Sequence, residues 1–215
     1  QGLDGRVVTG GVDHGHVRRP LPAAKALDDV LLAYEMNGEA LPPDHGFPVR
    51  LVVPGWVGIA SVKWLGRIEV AARPLRSPWS TIWYRMTGHG HPADAPPLAH
   101  QDVKSAFELA WDALVPARVP LTLRGRSWSG RFPIRRVDVS ADGGASWSPA
   151  RLVEPNQAGA WVRWELDWTP SAPGRYELRA RATDAGGRVQ PFEVPLNDNG
   201  YMFWAVVRHP VVAVA

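Results

Sequence analysis

The sequence predicts a mainly β protein in two parts, a shorter α+β segment followed by a β-sandwich, and three observations carry that prediction. From Val119 onward apolar residues alternate with polar ones in short runs, the pattern of half-buried strands. Turn chemistry such as Asp142-Gly143-Gly144 separates the runs, which number six or seven over about 115 residues, as a sandwich requires. Upstream the pattern is mixed, with glycine-rich loops, short strand-like runs and one helical stretch. At 215 residues the chain has room for two small domains, each able to bury a core.

Taken in order, residues 1 to 20 carry five glycines and little periodicity, and read as irregular loop around Asp13, His14, His16, Arg18, Arg19 and Pro20. Between Leu27 and Leu41 two readings compete. Leu27, Val30, Leu31 and Tyr34 fit one helix face, whereas Asn37-Gly38 between apolar runs is a hairpin signal; a short helix before Asp28 and a hairpin after it satisfy both. Val49 to Val53 reads as a strand, and so does Val62 to Val70, with Val62, Trp64, Ile68 and Val70 on inward positions. The proline-rich residues 71 to 100 read as the linker, with Thr81 to Met86 as a possible strand inside it. Val103, Ser105, Phe107 and Leu109 alternate as a strand would, although the window to Leu114 also passes for a helix. Further on, Val162, Trp164, Leu166 and Trp168 form the clearest two-residue period, opposed by Arg163, Glu165 and Asp167. Tyr176, Leu178, Ala180 and Ala182 repeat it, and Tyr201 to Val214 reads as a last strand.

Composition narrows the function. The net charge of +3 and the absence of basic runs give no electrostatic footprint for nucleic acid. No apolar stretch approaches the roughly 18 residues of a membrane span, and no signal-peptide pattern opens the chain. The sequence has no cysteine, so it offers neither a disulfide nor a thiolate metal ligand; cytoplasm and periplasm both stay open. Only three of the 24 basic residues are lysine, and of these only Lys63 sits in a glycine-rich loop.

That loop, Leu51-Val-Val-Pro-Gly-Trp-Val-Gly-Ile-Ala-Ser-Val-Lys-Trp-Leu65, is the most informative stretch. Pro54-Gly55 ends a β-branched run, Gly58 allows close backbone approach, and Ser61 and Lys63 add a hydroxyl and a cation, a pairing suited to an anion such as phosphate. A tight turn with a solvated lysine explains the same residues. Resemblance separates the two readings. Leu-Ala-Tyr-Glu-Met-Asn-Gly-Glu (32 to 39), Asp-His-Gly-Phe-Pro-Val-Arg-Leu-Val-Val-Pro-Gly (44 to 55) and Ser-Val-Lys-Trp-Leu (61 to 65) resemble the sulfite oxidase family of molybdenum-cofactor enzymes. The likeness continues in Leu123-Arg-Gly-Arg-Ser-Trp-Ser-Gly130, Arg136-Val-Asp-Val-Ser-Ala-Asp-Gly-Gly-Ala-Ser-Trp147 and Ala180-Arg-Ala-Thr-Asp-Ala-Gly-Gly-Arg-Val-Gln-Pro191, which resemble that family's immunoglobulin-like dimerisation domain.

The resemblance implies a molybdopterin-domain segment over 1–98, a dimerisation domain over 99–215 that makes a homodimer, the molybdenum cofactor, and oxygen-atom transfer to sulfite or a related small oxyanion. It leaves the electron acceptor open, and no haem site is present. It implies catalytic roles for Tyr34, whose phenol can donate to an oxyanion without ionising, and for Arg208, whose paired N–H donors suit the same anion; a half-buried packing tyrosine and a surface arginine are the plain alternatives. Cofactor contacts fall to Ser61, Lys63 and Gly58, with Ile59 beside them. His14 and Arg19, with Asp13 and His16, lie in a loop that in the family approaches the pterin, although Arg18-Arg19-Pro20 departs from the Ser-Ile-Pro wording of some members. The family's metal-ligating cysteine is missing, which implies that the chain is the C-terminal portion of a longer protein; a non-catalytic assembly piece is the alternative. The pairs His14/His16 and His89/His91 lack a third zinc ligand at typical spacing. The eleven tryptophans admit a carbohydrate-binding sandwich if Trp128 and Trp161 lie exposed in a flat row.

Overall fold

A computed structural model describes residues 1–88, 90–153 and 155–215, and the chain divides into two compact units. The first comprises Gln1–His100 with Leu196–Tyr201, the second Gln101–Pro195 with Met202–Ala215.

In the first unit β1 (Val7–Thr9) and β2 (Val12–Gly15) form an antiparallel hairpin. Gly10 and Gly11 turn it at φ of 56° and 77°, values that two consecutive glycines reach without strain. The irregular loop expected here is thus a hairpin, and Gly10-Gly11 after the β-branched run Val7-Val8-Thr9 is its signal. Helix α1 (Ala23–Asp28) follows and buries none of its residues. Strand β3 (Leu31–Ala33) is followed by the hairpin β4 (Glu35–Met36) and β5 (Glu39–Ala40), turned by Asn37 and Gly38 at φ of 56° and 82°. Strand β6 (Arg50–Val52) then pairs back on β3, Leu32 opposite Leu51. The short helix and the hairpin after it are both present.

Two expected strands of this unit are not. Residues 62–70 form no strand, because Trp64 adopts φ of 48° and the backbone bonds of this segment go to two different neighbours: Leu51 and Leu65 bond with Val62 and Val49, whereas Leu3 and Gly66 bond with Trp64 and Gln1. Val62 is buried, but Ile68 and Val70 are exposed. The stretch 81–86 begins instead inside helix α2 (Pro78–Thr81), where Ser77 and Ser80 make a capping box with proline in the first turn, a helix start in both respects. Nor is 71–100 a loose linker. Trp79 and Ala95 are buried, and Leu98 N–H donates to the Tyr84 carbonyl at 2.7 Å.

The second unit is a two-layer sandwich of β7 (Lys104–Phe107), β8 (Ala113–Pro116), β9 (Leu121–Trp128), β10 (Ile134–Ser140), β11 (Ser148–Pro149), β12 (Arg151–Val153), β13 (Trp161–Trp168), β14 (Gly174–Asp184) and β15 (His209–Val214). One sheet runs β11-β10-β14-β15-β8 and the other β12-β13-β9-β7. All pairs are antiparallel except β15 with β8. Asp142 leads the turn that Gly143 and Gly144 make at φ of 70° and 98°.

Alternation places the core. Val162 and Trp164 of β13, Leu123 of β9, Val137 and Val139 of β10, and Leu178, Ala180 and Ala182 of β14 all face inward. Trp164 is fully buried and meets Phe107 edge-on at 5.2 Å. Its ring lies against Gly125, directly opposite in register, where an added Cβ would sit 2.1 Å from the indole; no other residue fits there. Gln190, also buried, accepts from the amides of Ser105 and Ala182 and donates to the Ala205 carbonyl, so one polar side chain ties three segments together.

The last strand starts at His209 rather than Tyr201. Leu196–Tyr201 belongs to the first unit, where Tyr201 stacks on Tyr84 at 5.2 Å and Asp198 N–H donates to the Thr87 carbonyl. Among the described residues no helix is long and apolar enough to cross a membrane.

Candidate functional site

The glycine-rich loop closes over a cavity of about 150 Å³ in the first unit, lined by Asp4, Gly58, Ile59, Ser61, Lys63 and Trp64 among others. Local bonding explains its shape. Gly58–Ala60 is a single 3-10 turn, and the Ser61 amide closes it onto the Gly58 carbonyl at 3.0 Å. Ser61 Oγ accepts from the Val53 amide at 3.1 Å, which fixes the hydroxyl at the end of β6 and leaves its own proton to donate. Arg50 donates to the carbonyls of His45 and Ser61 at 3.0 and 3.1 Å. One guanidinium thereby joins β6, the turn Pro43–His45 and the Ser61 loop.

Lys63 is anchored on the same turn. Its Nζ donates to the Asp44 carbonyl at 2.7 Å and lies 5.0 Å from the Trp64 ring centroid, while Trp64 Nε1 donates to the Pro43 carbonyl. An ammonium has three donors, so two remain for an incoming anion. Gly46 makes the approach feasible: at φ of 106° an added Cβ would sit 2.9 Å from Lys63 Cβ. At Gly58, by contrast, nothing lies within 4 Å of where a Cβ would stand, so the cavity wall is open there.

The other expected site residues lie elsewhere. Tyr34 is 65% exposed beside the β4–β5 hairpin. His14 packs edge-on against Trp83 at 4.8 Å and pairs with Thr9 Oγ1 at 2.9 Å. Arg19 donates to the carbonyls of Trp79 and Leu98, and its Nε is buried without a partner; burial lowers its pKa, with the nearby Tyr84 opposing. Asp13 is held by Arg6 at 2.7 Å, which keeps its carboxyl below the usual range, and His16 pairs with the Asp4 carbonyl at the rim of the cavity. Arg208 is exposed, one residue before β15 in the second unit. The structure therefore gathers Gly58, Ile59, Ser61 and Lys63 and leaves His14 and Arg19 outside that lining. Arg50 is not among the expected site residues; its bond to the Ser61 carbonyl comes from folding that sequence spacing does not reveal.

His89 lies outside the described residues, and among the described residues no three His, Asp or Glu side chains converge as a metal-binding group. Trp161 faces Trp128 across β13 and β9 and is 49% exposed, but Arg126 stacks on its ring at 4.2 Å. A guanidinium thus occupies the face that a sugar would need.

Residues 2–79 match the oxidoreductase molybdopterin binding domain, and residues 102–210 match the Mo-co oxidoreductase dimerisation domain. The chain belongs to the sulfite oxidase family of molybdenum-cofactor oxidoreductases. It is 41% identical over 189 residues to mitochondrial sulfite oxidase of Homo sapiens, a match covering 80% of this chain and 34% of that protein. It is 34% identical over 220 residues to a nitrate reductase [NADH] of Ulva prolifera, covering 84% of this chain and 24% of that protein. Among solved structures, the sulfane dehydrogenase SoxCD of Paracoccus pantotrophus superposes with a TM-score of 0.77 at 33% identity, over 91% of this chain and 54% of that one. The chain spans about a third of the length of the human relative. Membership of this family implies the molybdenum cofactor, and the donor set of the cavity fits one end of it: a cation, a hydroxyl and an unobstructed glycine suit a pterin's phosphate, whereas the thiolate for the metal has no source among residues that include no cysteine.

Proposed function

We propose that this chain is part of an enzyme that oxidises sulfite, or a related small oxyanion, by oxygen-atom transfer and two-electron oxidation at the molybdenum cofactor. In this reading residues 1–98 supply cofactor and substrate contacts, and 99–215 make a homodimer. The observation that carries it is the convergence of Gly58, Ser61 and Lys63 on one cavity. When bound, the cofactor supplies the redox-active metal; this chain's residues bind and orient. Lys63 gives two charge-assisted hydrogen bonds to phosphate oxygens, Ser61 gives its hydroxyl proton, and Gly58 leaves the approach clear. Within the first unit, Tyr34 offers the substrate oxyanion a neutral phenol donor.

The thiolate ligand comes from polypeptide outside these 215 residues. A second observation favours this: the first unit exposes Leu27, Leu31, Leu32 and Val70, an apolar surface that a finished domain covers. The sulfite assignment is finer than the family, since the relatives include a protein named as a nitrate reductase.

The test is molybdenum and pterin content of the protein from its native source, with sulfite turnover. About one equivalent of each together with turnover supports the reading. Cofactor without sulfite turnover removes the substrate and keeps the oxidoreductase. Metal-free protein that lacks pterin leaves the assembly role of the sandwich in its place.

A further inference from the structure

Three arginines of the first unit converge without matching acids. Backbone bonding brings them together: the Gly2 amide donates to the Val17 carbonyl at 2.9 Å and the Gly66 amide to the Gln1 carbonyl at 3.0 Å, so residues 1–2 lie between residues 17–18 and 66–67. That arrangement places Arg18 and Arg67 on one cavity of about 100 Å³, with Arg19, Glu69 and Leu75 among its other lining residues. None of these residues lines the Lys63 cavity. Ser77, buried, fixes the first side by donating its hydroxyl to the Arg18 carbonyl at 2.7 Å.

Charge in this cavity is unbalanced. Arg67 pairs with Glu69 at 3.3 Å, whereas among the described residues Arg18 and Arg19 make no ion pair. The lining therefore holds three guanidiniums and one carboxylate. Arg19 is the most constrained of the three. Of its five N–H donors, it gives one to the Trp79 carbonyl and one to the Leu98 carbonyl, and its Nε is buried without a partner. Carbonyls satisfy donors but leave the charge uncompensated, and a desolvated cation without a counter-ion is costly; burial accordingly lowers the pKa of this guanidinium. An anion in the cavity supplies the missing counter-charge.

Size and donor type identify that anion. The volume of about 100 Å³ falls below the roughly 300–1,000 Å³ of cavities that take whole organic ligands. A planar carboxylate engages one guanidinium fork, whereas three separate guanidiniums around one cavity suit the oxygens of a tetrahedral ion. We propose that Arg18, Arg19 and Arg67 form a second anion-binding site, which takes one small free oxyanion, sulfate or phosphate. No bond is made or broken there; the site binds. Arg18-Arg19-Pro20 is also the stretch that departs from the Ser-Ile-Pro wording of some family members, and the site stands independently of the cofactor reading above.

The experiment titrates sodium sulfate, and separately sodium phosphate, into the protein at its native length by calorimetry, with ionic strength held constant by sodium chloride. Binding heat is the readout because sulfate stabilises folded proteins even where it has no site. One equivalent of either anion should bind. Arg18→Gln and Arg67→Gln, both at exposed positions, should each weaken binding by roughly tenfold, the loss of one charge-assisted donor, with unchanged thermal midpoint and pterin content. Arg19→Gln also strips two backbone carbonyls of their donors, so the decision rests on the other two arginines. Lys63→Ala should lower pterin content and leave sulfate affinity as it was. No binding to the wild type, or equal affinity in the Arg18→Gln/Arg67→Gln double variant, overturns the site and leaves the cofactor reading standing. Pterin lost from that double variant overturns it as well, by giving the pocket to the cofactor.

Discussion

The two units differ in how they use their apolar residues. In the second, the inward apolar residues of β9, β10, β13 and β14 form one continuous cluster, and Leu123, Val162, Trp164 and Leu178 at its centre are sealed from solvent. In the first, β3 is short, polar turns carry much of the bonding, and the buried set is smaller: Leu41, Val53, Val57, Ala60, Val62, Trp79 and Ala95. Its helix α1 buries nothing, and Leu27 and Val70 are 88% and 89% exposed. A sheet of two short strands cannot enclose a core, because each side chain row needs a facing layer. The sandwich packs around a continuous core, whereas the first unit supplements a smaller core with hydrogen bonds from Arg19, Arg50 and Arg85 to backbone carbonyls.

The largest expected effect follows from that packing. Trp164→Ala opens a void between the sheets, where Gly125 allows no compensating bulk, and should cost about 3–5 kcal/mol in denaturant unfolding of the sandwich. An effect below about 1 kcal/mol would mean that Trp164 is not its centre. The same truncation should leave the Lys63 cavity unchanged.

A smaller loss should follow at the site. Lys63→Ala removes a charged donor, a group worth about 1.5–3 kcal/mol, so pterin retention in the native protein should fall by roughly ten- to a hundredfold while sandwich stability holds. Gly46→Ala should do part of the same by displacing Lys63 from a distance, since the new methyl meets the lysine Cβ at 2.9 Å. Retention unchanged in both variants would move the anion site away from this loop.

Legibility in the sequence tracks the same division. The inward rows of β13 and β14 were readable because a two-sided strand in a complete sandwich shows its period in every pair of residues, and Asn37-Gly38 and Asp142-Gly143-Gly144 were readable because positive φ restricts the residues allowed. Val62 to Val70 misled for the opposite reason. Its apolar residues alternate, yet Trp64 turns left-handed and the segment's bonds divide between Val49–Leu51 and Gln1–Leu3, contacts distant in sequence. Gly58, Ser61 and Lys63 could be grouped because they are local, and Arg50 could not. The 196–201 return was hidden likewise, since Tyr201 contacts Tyr84, far back in the chain.

Acid should act on the sandwich through His209. The ring is buried against Phe107 and Trp111, and burial lowers its pKa from 6.5. A depressed histidine is neutral in the fold and charged once unfolded, so the unfolded state binds the extra proton and stability falls as pH drops below about 6.5. Denaturant midpoints from pH 8 to 5 should decline, and His209→Gln should flatten the part of the slope that this group contributes. An unchanged slope would assign the acid sensitivity to other groups.

The smallest effect is the most discriminating between the units. Leu27→Gln on α1 removes no packing within these residues, so unfolding of the 215-residue chain should change by less than about 0.5 kcal/mol, as for any surface site. If further polypeptide covers this surface in the native protein, as proposed above, the leucine is buried and the same substitution should cost about 2 kcal/mol or more. A difference between the two backgrounds would place covering polypeptide over α1. Equal, negligible costs in both would mean that the apolar face of the first unit stays in water.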